Sequence, residues 1–292
     1  MRIAHATDIH WFAPPSLRDI TVKRTFGTAN LYLMGRRTHF DLTVQNALVQ
    51  HILELAPDLL IITGDLTAQA LDTEFAIARA ALAPVIDAMP VFVIPGNHDL
   101  YTPGSQRTNR IAKHFGPQLH RDGVIHRLDL DDVTVLGLDP NRPTWVTASG
   151  KLPAAQLDAL AEALAEPELA ERFVVLAIHY PVVGPDGEVY DNRRHGLLNA
   201  RELLEVLAAA PTQPAMVLHG HRHHGYRAKL PVGDIDSFNC GASGYAHLPE
   251  HDRAACMNVY TVDDRKLGAV ERFRYDGTAF RPEKGGAYAT GR

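Results

Sequence analysis

The sequence predicts an α/β fold, and two observations carry that prediction. Short apolar runs rich in β-branched residues recur along the 292-residue chain, bounded by Gly, Pro or Asp. Stretches with helical periodicity lie between them, so strand and helix alternate. The first run is Ile3 to Thr7, and the first helical stripe is Val44, Leu48, Ile52 and Leu55. Leu59 to Thr63, Val91 to Ile94 and Val133 to Leu138 follow as strands. Pro153 then opens a helix with Leu157, Leu160 and Leu164 on one face. Val174 to Ile178 is the next strand, Leu203, Leu204 and Leu207 mark a third helix, and Met216 to Leu218 is a further strand. Continuous runs of this length fit strands buried on both faces of a largely parallel sheet. Beyond Pro231 the helical periodicity fades, and Ile235 to Cys240, Met257 to Val262 and Ala269 to Arg274 read as strands of a β-rich closing region, about 231–275. No linker separates it from what precedes, so 1–275 reads as one domain and 276–292 as a C-terminal tail.

Composition narrows the class. The chain is 46% hydrophobic and 22% charged, which excludes disordered and collagen-like classes. Cys240 and Cys256, without Cys-x-x-Cys spacing, make no disulfide framework and read as buried small hydrophobes. The net charge of −5 argues against general nucleic-acid binding. No run reaches the ~20 apolar residues of a membrane span, and the N-terminus lacks a signal-peptide core, so a cytoplasmic location is expected. The unusual count is 16 histidines, which invites a search for metal-ligand spacing.

Such spacing lies at the strand ends. Asp8-Ile9-His10 follows the first strand, Gly64-Asp65 the second and Gly96-Asn97-His98-Asp99 the third. His179 follows Val174 to Ile178, and His219-Gly220-His221-Arg222-His223 follows Met216 to Leu218. Ligand sites in α/β sheets lie outside the carboxyl ends of strands, so these residues can converge. Ligands two apart, as in Asp8-x-His10 and His221-x-His223, fall on the same side of an extended chain. Each piece alone is ordinary: Asp-x-His reads as a polar turn, and a single histidine as a satisfied core or surface residue. Their joint order is not ordinary. Carboxylate plus imidazole without thiolate suits manganese, iron or zinc rather than calcium or magnesium alone. Asp8, His10, Asp65, Asn97, His179, His221 and His223 are too many ligands for one ion and are natural for two.

In this order the motifs resemble the calcineurin-like metallophosphoesterase superfamily, over roughly residues 1 to 225, nearest to the bacterial class III cyclic nucleotide phosphodiesterase and glycerophosphodiesterase branch. The resemblance implies a four-layer α/β/β/α sandwich of two mixed sheets flanked by helices. It implies one metal held by Asp8, His10, Asp65 and His223, and a second held by Asp65, Asn97, His179 and His221, with Asp65 bridging. A metal-bridging hydroxide would attack phosphorus in line. His98 would stabilise developing charge or protonate the leaving oxygen, and Asp99 would orient His98. The expected substrate is a phosphodiester, either a cyclic nucleotide or a glycerophosphodiester-like molecule. His219 and His224 read as structural neighbours of the ligands, and Asn239 to Gly244 as a small-residue turn without a nucleophile.

Two features bear on substrate. The insertion of about 12–40 contains Arg18, Lys23, Arg24, Phe26, Leu31, Tyr32, Leu33, Met34, Arg36 and Arg37, with Asp19 the single acid between Arg18 and Arg37. It is either a basic, apolar lip receiving an anionic or lipid-bearing substrate, or a helix packed on its own domain. The lip reading leaves open peripheral contact at the inner membrane face through 18–37. It also leaves open a lipid-linked nucleotide such as UDP-diacylglucosamine, and a phosphomonoester is a further alternative. Arg193, Arg194 and His195, in the loop after His179, are candidates for substrate phosphate or for solvated loop charge, with Asn97 and His98 as further substrate contacts. Homodimerisation stays open. A binding module without metal is the non-enzyme alternative.

Overall fold

The computed structural model describes residues 1–16, 39–142, 144 and 147–288. From the N-terminus, β1 (Arg2–Ala6), α1 (Leu42–Leu55), β2 (Leu59–Ile62), α2 (Asp72–Ala88) and β3 (Val91–Val93) precede two short helices, α3 (Pro103–Thr108) and α4 (Arg110–Phe115). Then come β4 (Arg121–Asp122), β5 (Ile125–Leu130), β6 (Val133–Leu138), α5 (Ala154–Leu164), β7 (Phe173–Ile178), α6 (Ala200–Ala209) and β8 (Met216–His219). The chain closes with β9 (Tyr226–Lys229), β10 (Asp236–Asn239), β11 (Cys256–Asp263), β12 (Lys266–Tyr275) and β13 (Phe280–Pro282).

These strands form two sheets, ordered β13-β12-β11-β1-β2-β3 and β4-β5-β6-β7-β8-β10-β9. The first is parallel from β1 through β2 to its edge at β3 and antiparallel on the β11-β12-β13 side, and the second is parallel at its centre, β6, β7, β8 and β10, and antiparallel toward both edges. The expected largely parallel sheet is therefore two mixed sheets, as the family resemblance implies. The alternation of side chains along β1 shows the layering. Ile3 faces the core between the sheets with Ile61, Phe92, Val135, Val175 and Phe238. Its neighbours Ala4 and Ala6 face Val44 and Leu48 of α1 and Phe75 of α2. On the far side, Leu157 and Leu160 of α5 and Leu203 and Leu207 of α6 pack against Leu136, Leu176 and Val217. Helix, sheet, sheet and helix are thus the four layers.

The predicted helices have local causes. Asp41 caps α1 by accepting from the Thr43 amide at 2.7 Å, and Pro153 stands at the N-cap of α5. Residues 276–288, the described part of the expected C-terminal tail 276–292, are not simply a tail. β13 pairs with β12, Glu283 forms a buried ion pair with Arg272 at 2.9 Å, and the Tyr288 hydroxyl donates to the Asn239 carbonyl at 3.0 Å. The alternation Phe280, Arg281, Pro282 is too short to announce an edge strand. No helix among the described residues is long and apolar enough to cross a membrane. The basic and apolar insertion lies almost wholly outside the described residues. Its last residue, Phe40, is described and packs on His10 with ring centroids 4.3 Å apart.

Candidate metal centre

Parallel pairing puts the carboxyl ends of β1, β2, β3, β7 and β8 at one edge of the sandwich. Ala6 is in register with Ile62, Ile62 with Val93, and Ala177 with Leu218, so the residues that follow leave the sheets side by side. There the backbone turns sharply. Asp8, His10, Asp65, His221 and His223 adopt φ of 51°, 55°, 55°, 69° and 59°. This left-handed region costs a non-glycine residue on the order of 1 kcal/mol. Loop hydrogen bonds offset the cost: the Ile9 and His10 amides both donate to the Asp65 carbonyl at 3.0 Å, and the His221 amide donates to Asp8 Oδ2 at 2.9 Å. Two glycines permit the close approach. A Cβ on Gly96 would collide with Asp65 Oδ1 and the Asp65 amide, and one on Gly220 with Thr7 Oγ1 and Asp8 Oδ2.

The side chains gather in two groups that share Asp65. Asp8, His10, Asp65 and His223 each offer one ligand atom, all within 4.8 Å of one another. His223 Nε2 lies 3.1 Å from Asp8 Oδ1, and His10 Nε2 lies 3.7 Å from Asp65 Oδ2. In the second group Asn97 Oδ1 lies 3.1 Å from His179 Nε2 and 2.8 Å from His221 Nδ1. His179 Nε2 is 3.3 Å from Asp65 Oδ2, so this one oxygen faces both groups. Asp65 Oδ1 accepts from the His98 amide at 2.8 Å, which fixes the carboxylate plane.

The donor chemistry fits cations. A carbonyl only accepts, so His10 and His179 each place a proton on Nδ1 to bond Thr67 O at 3.2 Å and Thr63 O at 2.7 Å. Each Nε2 then turns a lone pair inward. His10 Nε2 and His223 Nε2 confront each other at 3.4 Å, and Asp8 Oδ1 is buried without a hydrogen-bond donor among the described residues. Facing lone pairs at such distances need a proton or a metal ion between them. Burial opposes ionisation of Asp8 and Asp65, yet the surrounding imidazoles hold both carboxyls below their ordinary range. Burial also pulls His179 down, but the Asp65 charge and hydrogen bond, with the Asp8 charge and the Thr63 carbonyl, together outweigh it and raise the ring to about 9. The field that would keep this proton is one that a cation exploits in its place. Burial, aided by His179, pushes His221 down to about 3 and keeps the ring neutral, with Nδ1 turned toward Asn97 Oδ1.

His98 and Asp99 occupy the site differently from one another. His98 lines the cavity beside the ligands, with Nδ1 donating to the Ala68 carbonyl at 2.6 Å. Asp99 does not orient it. The Asp99 carboxylate turns back to accept from the Gly96, Leu66 and Thr67 amides at 3.0, 3.2 and 2.9 Å, stapling the loops after β2 and β3. Consecutive residues in a tight turn project to different sides, so adjacency in sequence does not place this carboxylate on this imidazole. Ser243 is likewise structural: it accepts from the Thr7 amide at 3.1 Å and donates to the Cys256 carbonyl at 2.7 Å. Burial pushes the Cys240 thiol far up. His219, fully buried, is pushed down to about 3, first by that burial.

A cavity of about 600 Å³ opens over the donor atoms. His195 lines it, whereas Arg193 and Arg194 are exposed and lie outside its lining. Arg142, Arg222, Tyr101, Tyr180 and Tyr190 also line it and are not among the predicted substrate residues. Two carried a readable signal. Arg222 is the residue between His221 and His223, and Tyr180 follows His179. Arg142 lies just beyond β6, whose end the sequence reading leaves uninterpreted.

Tyr245 is a positioning residue with no signal of spacing. Its hydroxyl meets His223 Nδ1 at 2.8 Å, Phe40 packs beside it with centroids 5.2 Å apart, and the Arg253 guanidinium lies 5.2 Å over its ring. It thereby fixes which nitrogen of His223 faces Asp8. Tyr245→Phe is expected to weaken metal binding by about ten- to a hundredfold, read by competition with a chelator. Unchanged affinity would remove Tyr245 from the centre.

The family profile described as calcineurin-like phosphoesterase matches residues 1–225. A probable cyclic nucleotide phosphodiesterase of Vesicomyosocius okutanii is 24% identical over 200 residues, covering 68% of this chain and 76% of that protein. The 3′,5′-cyclic adenosine monophosphate phosphodiesterase CpdA of Haemophilus influenzae is 30% identical over 170 residues, covering 57% of this chain and 54% of that protein. Among solved structures, a dimetal phosphatase from Danio rerio superposes with a TM-score of 0.62 at 13% identity, covering 96% of this chain and 98% of that one.

Proposed function

As a member of the calcineurin-like phosphoesterase family the chain is a phosphoester-hydrolysing enzyme, and we propose that its substrate is a phosphodiester, hydrolysed at a centre of two metal ions. Asp8, His10, Asp65 and His223 would hold one ion, and Asp65, Asn97, His179 and His221 the other. The observation that carries this reading is Asp65 Oδ2, which faces His10 Nε2 at 3.7 Å in one donor group and His179 Nε2 at 3.3 Å in the other. Manganese, iron or zinc suit such a mixed carboxylate and imidazole set. When bound, two such ions activate water for in-line attack and offset charge on the ester.

The chain's own residues supply the rest. Asn97 contributes a neutral amide oxygen, so the donor set carries only the two carboxylate charges of Asp8 and Asp65 and leaves surplus positive charge for an anionic ester. The Thr63 and Thr67 carbonyls fix the tautomers of His179 and His10. His98, anchored through Nδ1, has Nε2 left to exchange a proton with the leaving oxygen. The diester preference draws support from the relatives named cyclic nucleotide phosphodiesterases.

A manganese-supplemented comparison of a phosphomonoester, a 3′,5′-cyclic nucleotide, a glycerophosphodiester and a nucleotide-linked lipid at equal concentration tests this. The diesters are expected to turn over at least about tenfold faster by kcat/KM than the monoester, a difference of about 1.4 kcal/mol. Faster turnover of the monoester would overturn the diester reading.

A further inference from the structure

Beside the metal-ligand atoms, the cavity carries a second concentration of positive charge. Arg142 and Arg222 both line it, together with His195, and Asp65 is the one carboxylate among the described lining residues. That carboxylate faces the imidazoles of the metal centre, so it does not neutralise the arginines. Guanidinium groups stay protonated at any working pH. Elsewhere in the fold arginines are commonly matched to acids: Arg127 to Glu166 at 2.7 Å, Arg227 to Asp236 at 3.0 Å, Arg272 to Glu283 at 2.9 Å and Arg274 to Asp252 at 2.6 Å. Arg142 and Arg222 have no carboxylate partner among the described residues. They are held in place by uncharged groups. Arg222 lies over the Tyr190 ring with Cζ 4.6 Å from its centroid, and Arg142 Nη2 donates to Ser149 Oγ at 3.2 Å. Stacking occupies the face of the Arg222 guanidinium and leaves its N–H edge available for paired hydrogen bonds to phosphate, whereas Arg142 engages Ser149 O and Oγ through Nε and Nη2 and keeps Nη1 for an anion.

A simple phosphodiester carries one negative charge, and that charge belongs over the metal centre. Two further fixed cations in the same cavity then lack a counterpart. Resting on the phosphodiesterase reading above, we propose that Arg142 and Arg222 form a second anion subsite, so that the preferred diester carries a second phosphate group besides the one attacked. The second phosphate is either joined to the first as a pyrophosphate or placed elsewhere on the same molecule. The chemistry of recognition is the same in both.

The test compares three esters with the manganese-loaded full chain: a 3′,5′-cyclic nucleotide, a dinucleoside pyrophosphate, and a cyclic nucleotide bearing an additional 2′-phosphate. At least one of the two-phosphate substrates is expected to exceed the cyclic nucleotide by at least about tenfold in kcat/KM, and which one does so tells the joined arrangement from the remote one. In the double variant Arg142→Gln/Arg222→Gln this ratio is expected to fall by about tenfold or more. A wild-type preference for the cyclic nucleotide, or a ratio that survives the double substitution, overturns the subsite. Titration calorimetry with inorganic pyrophosphate and with orthophosphate gives a readout independent of turnover. The double variant is expected to lose at least about tenfold in affinity for pyrophosphate relative to orthophosphate, and equal losses for both overturn the proposal. If no ester is hydrolysed but the two anions are still discriminated, the phosphodiesterase reading fails and the subsite stands.

Discussion

Asp65→Ala is expected to abolish hydrolysis and to lower the metal content of the purified protein together. Asp65 Oδ2 faces His10 and His179 from opposite donor groups, while Oδ1 accepts from the His98 amide. Removal of this one carboxylate takes a charge from both groups and an anchor from the loop that carries Asn97. Metal ions supply several kcal/mol of charge stabilisation in such reactions, which corresponds to about a thousandfold or more in rate. Asp65→Asn separates charge from shape, since its carbonyl oxygen can still accept from the His98 amide. It is expected to be as inactive as the alanine variant while folding normally. Elemental analysis gives metal per chain, and circular dichroism gives the fold. A folded Asp65→Asn protein that keeps two metals per chain and full turnover would dispose of the shared carboxylate.

The parts of the site that were legible in the sequence are those imposed by buried parallel strands. A run buried on both faces admits a polar side chain only where it finds a partner, as His5 in β1 does with Thr63 and Tyr260, so Asp8, Asp65, Asn97, His179 and His221 stand conspicuously at run ends. Neighbouring β1, β2 and β3 bring Asp8, Asp65 and Asn97 together in one sheet, neighbouring β7 and β8 bring His179 and His221 together in the other, and the packing of the two sheets joins the groups. The two-residue spacing also places His10 beside Asp8 and His223 beside His221, although the local backbone is left-handed rather than extended at all four positions. What the spacing does not encode is contact between distant loops. Tyr245 reaches His223 because Asp41 and Ala246 backbone amides lace 39–41 to 244–246, and no periodicity reports that. Asp99 illustrates the converse error: one residue from His98 in sequence, it serves the loop after β2. α2 carries Phe75, Ala78, Leu82 and Val85 at helical spacing, yet Pro84 inside it breaks the pattern that would mark a helix. β5 and β9 are half exposed, and such strands lack the continuous apolar runs that revealed the sheet centres.

His98→Ala is expected to lower kcat by about a hundred- to a thousandfold while leaving metal content near its original value. The separation follows from how His98 is tied in. Its backbone amide, which the substitution keeps, supplies the bond to Asp65 Oδ1, whereas the side chain's anchoring contact is Nδ1 to the Ala68 carbonyl. Burial pushes the ring down to about 4, against the raising effect of the Asp65 charge, so the resting imidazole is neutral near pH 7 with Nε2 an acceptor. It can donate to a leaving oxygen only after taking up a proton in company with an anionic substrate, which reverses the sign of the local field. Two substrates that differ in leaving group therefore distinguish its roles. If His98 protonates the leaving oxygen, the alanine variant should lose at least about tenfold more on an alkyl ester than on a nitrophenyl ester, whose anion departs without a proton. Equal losses on both would assign His98 to holding the ester in place, and full activity on the alkyl ester would remove it from the reaction.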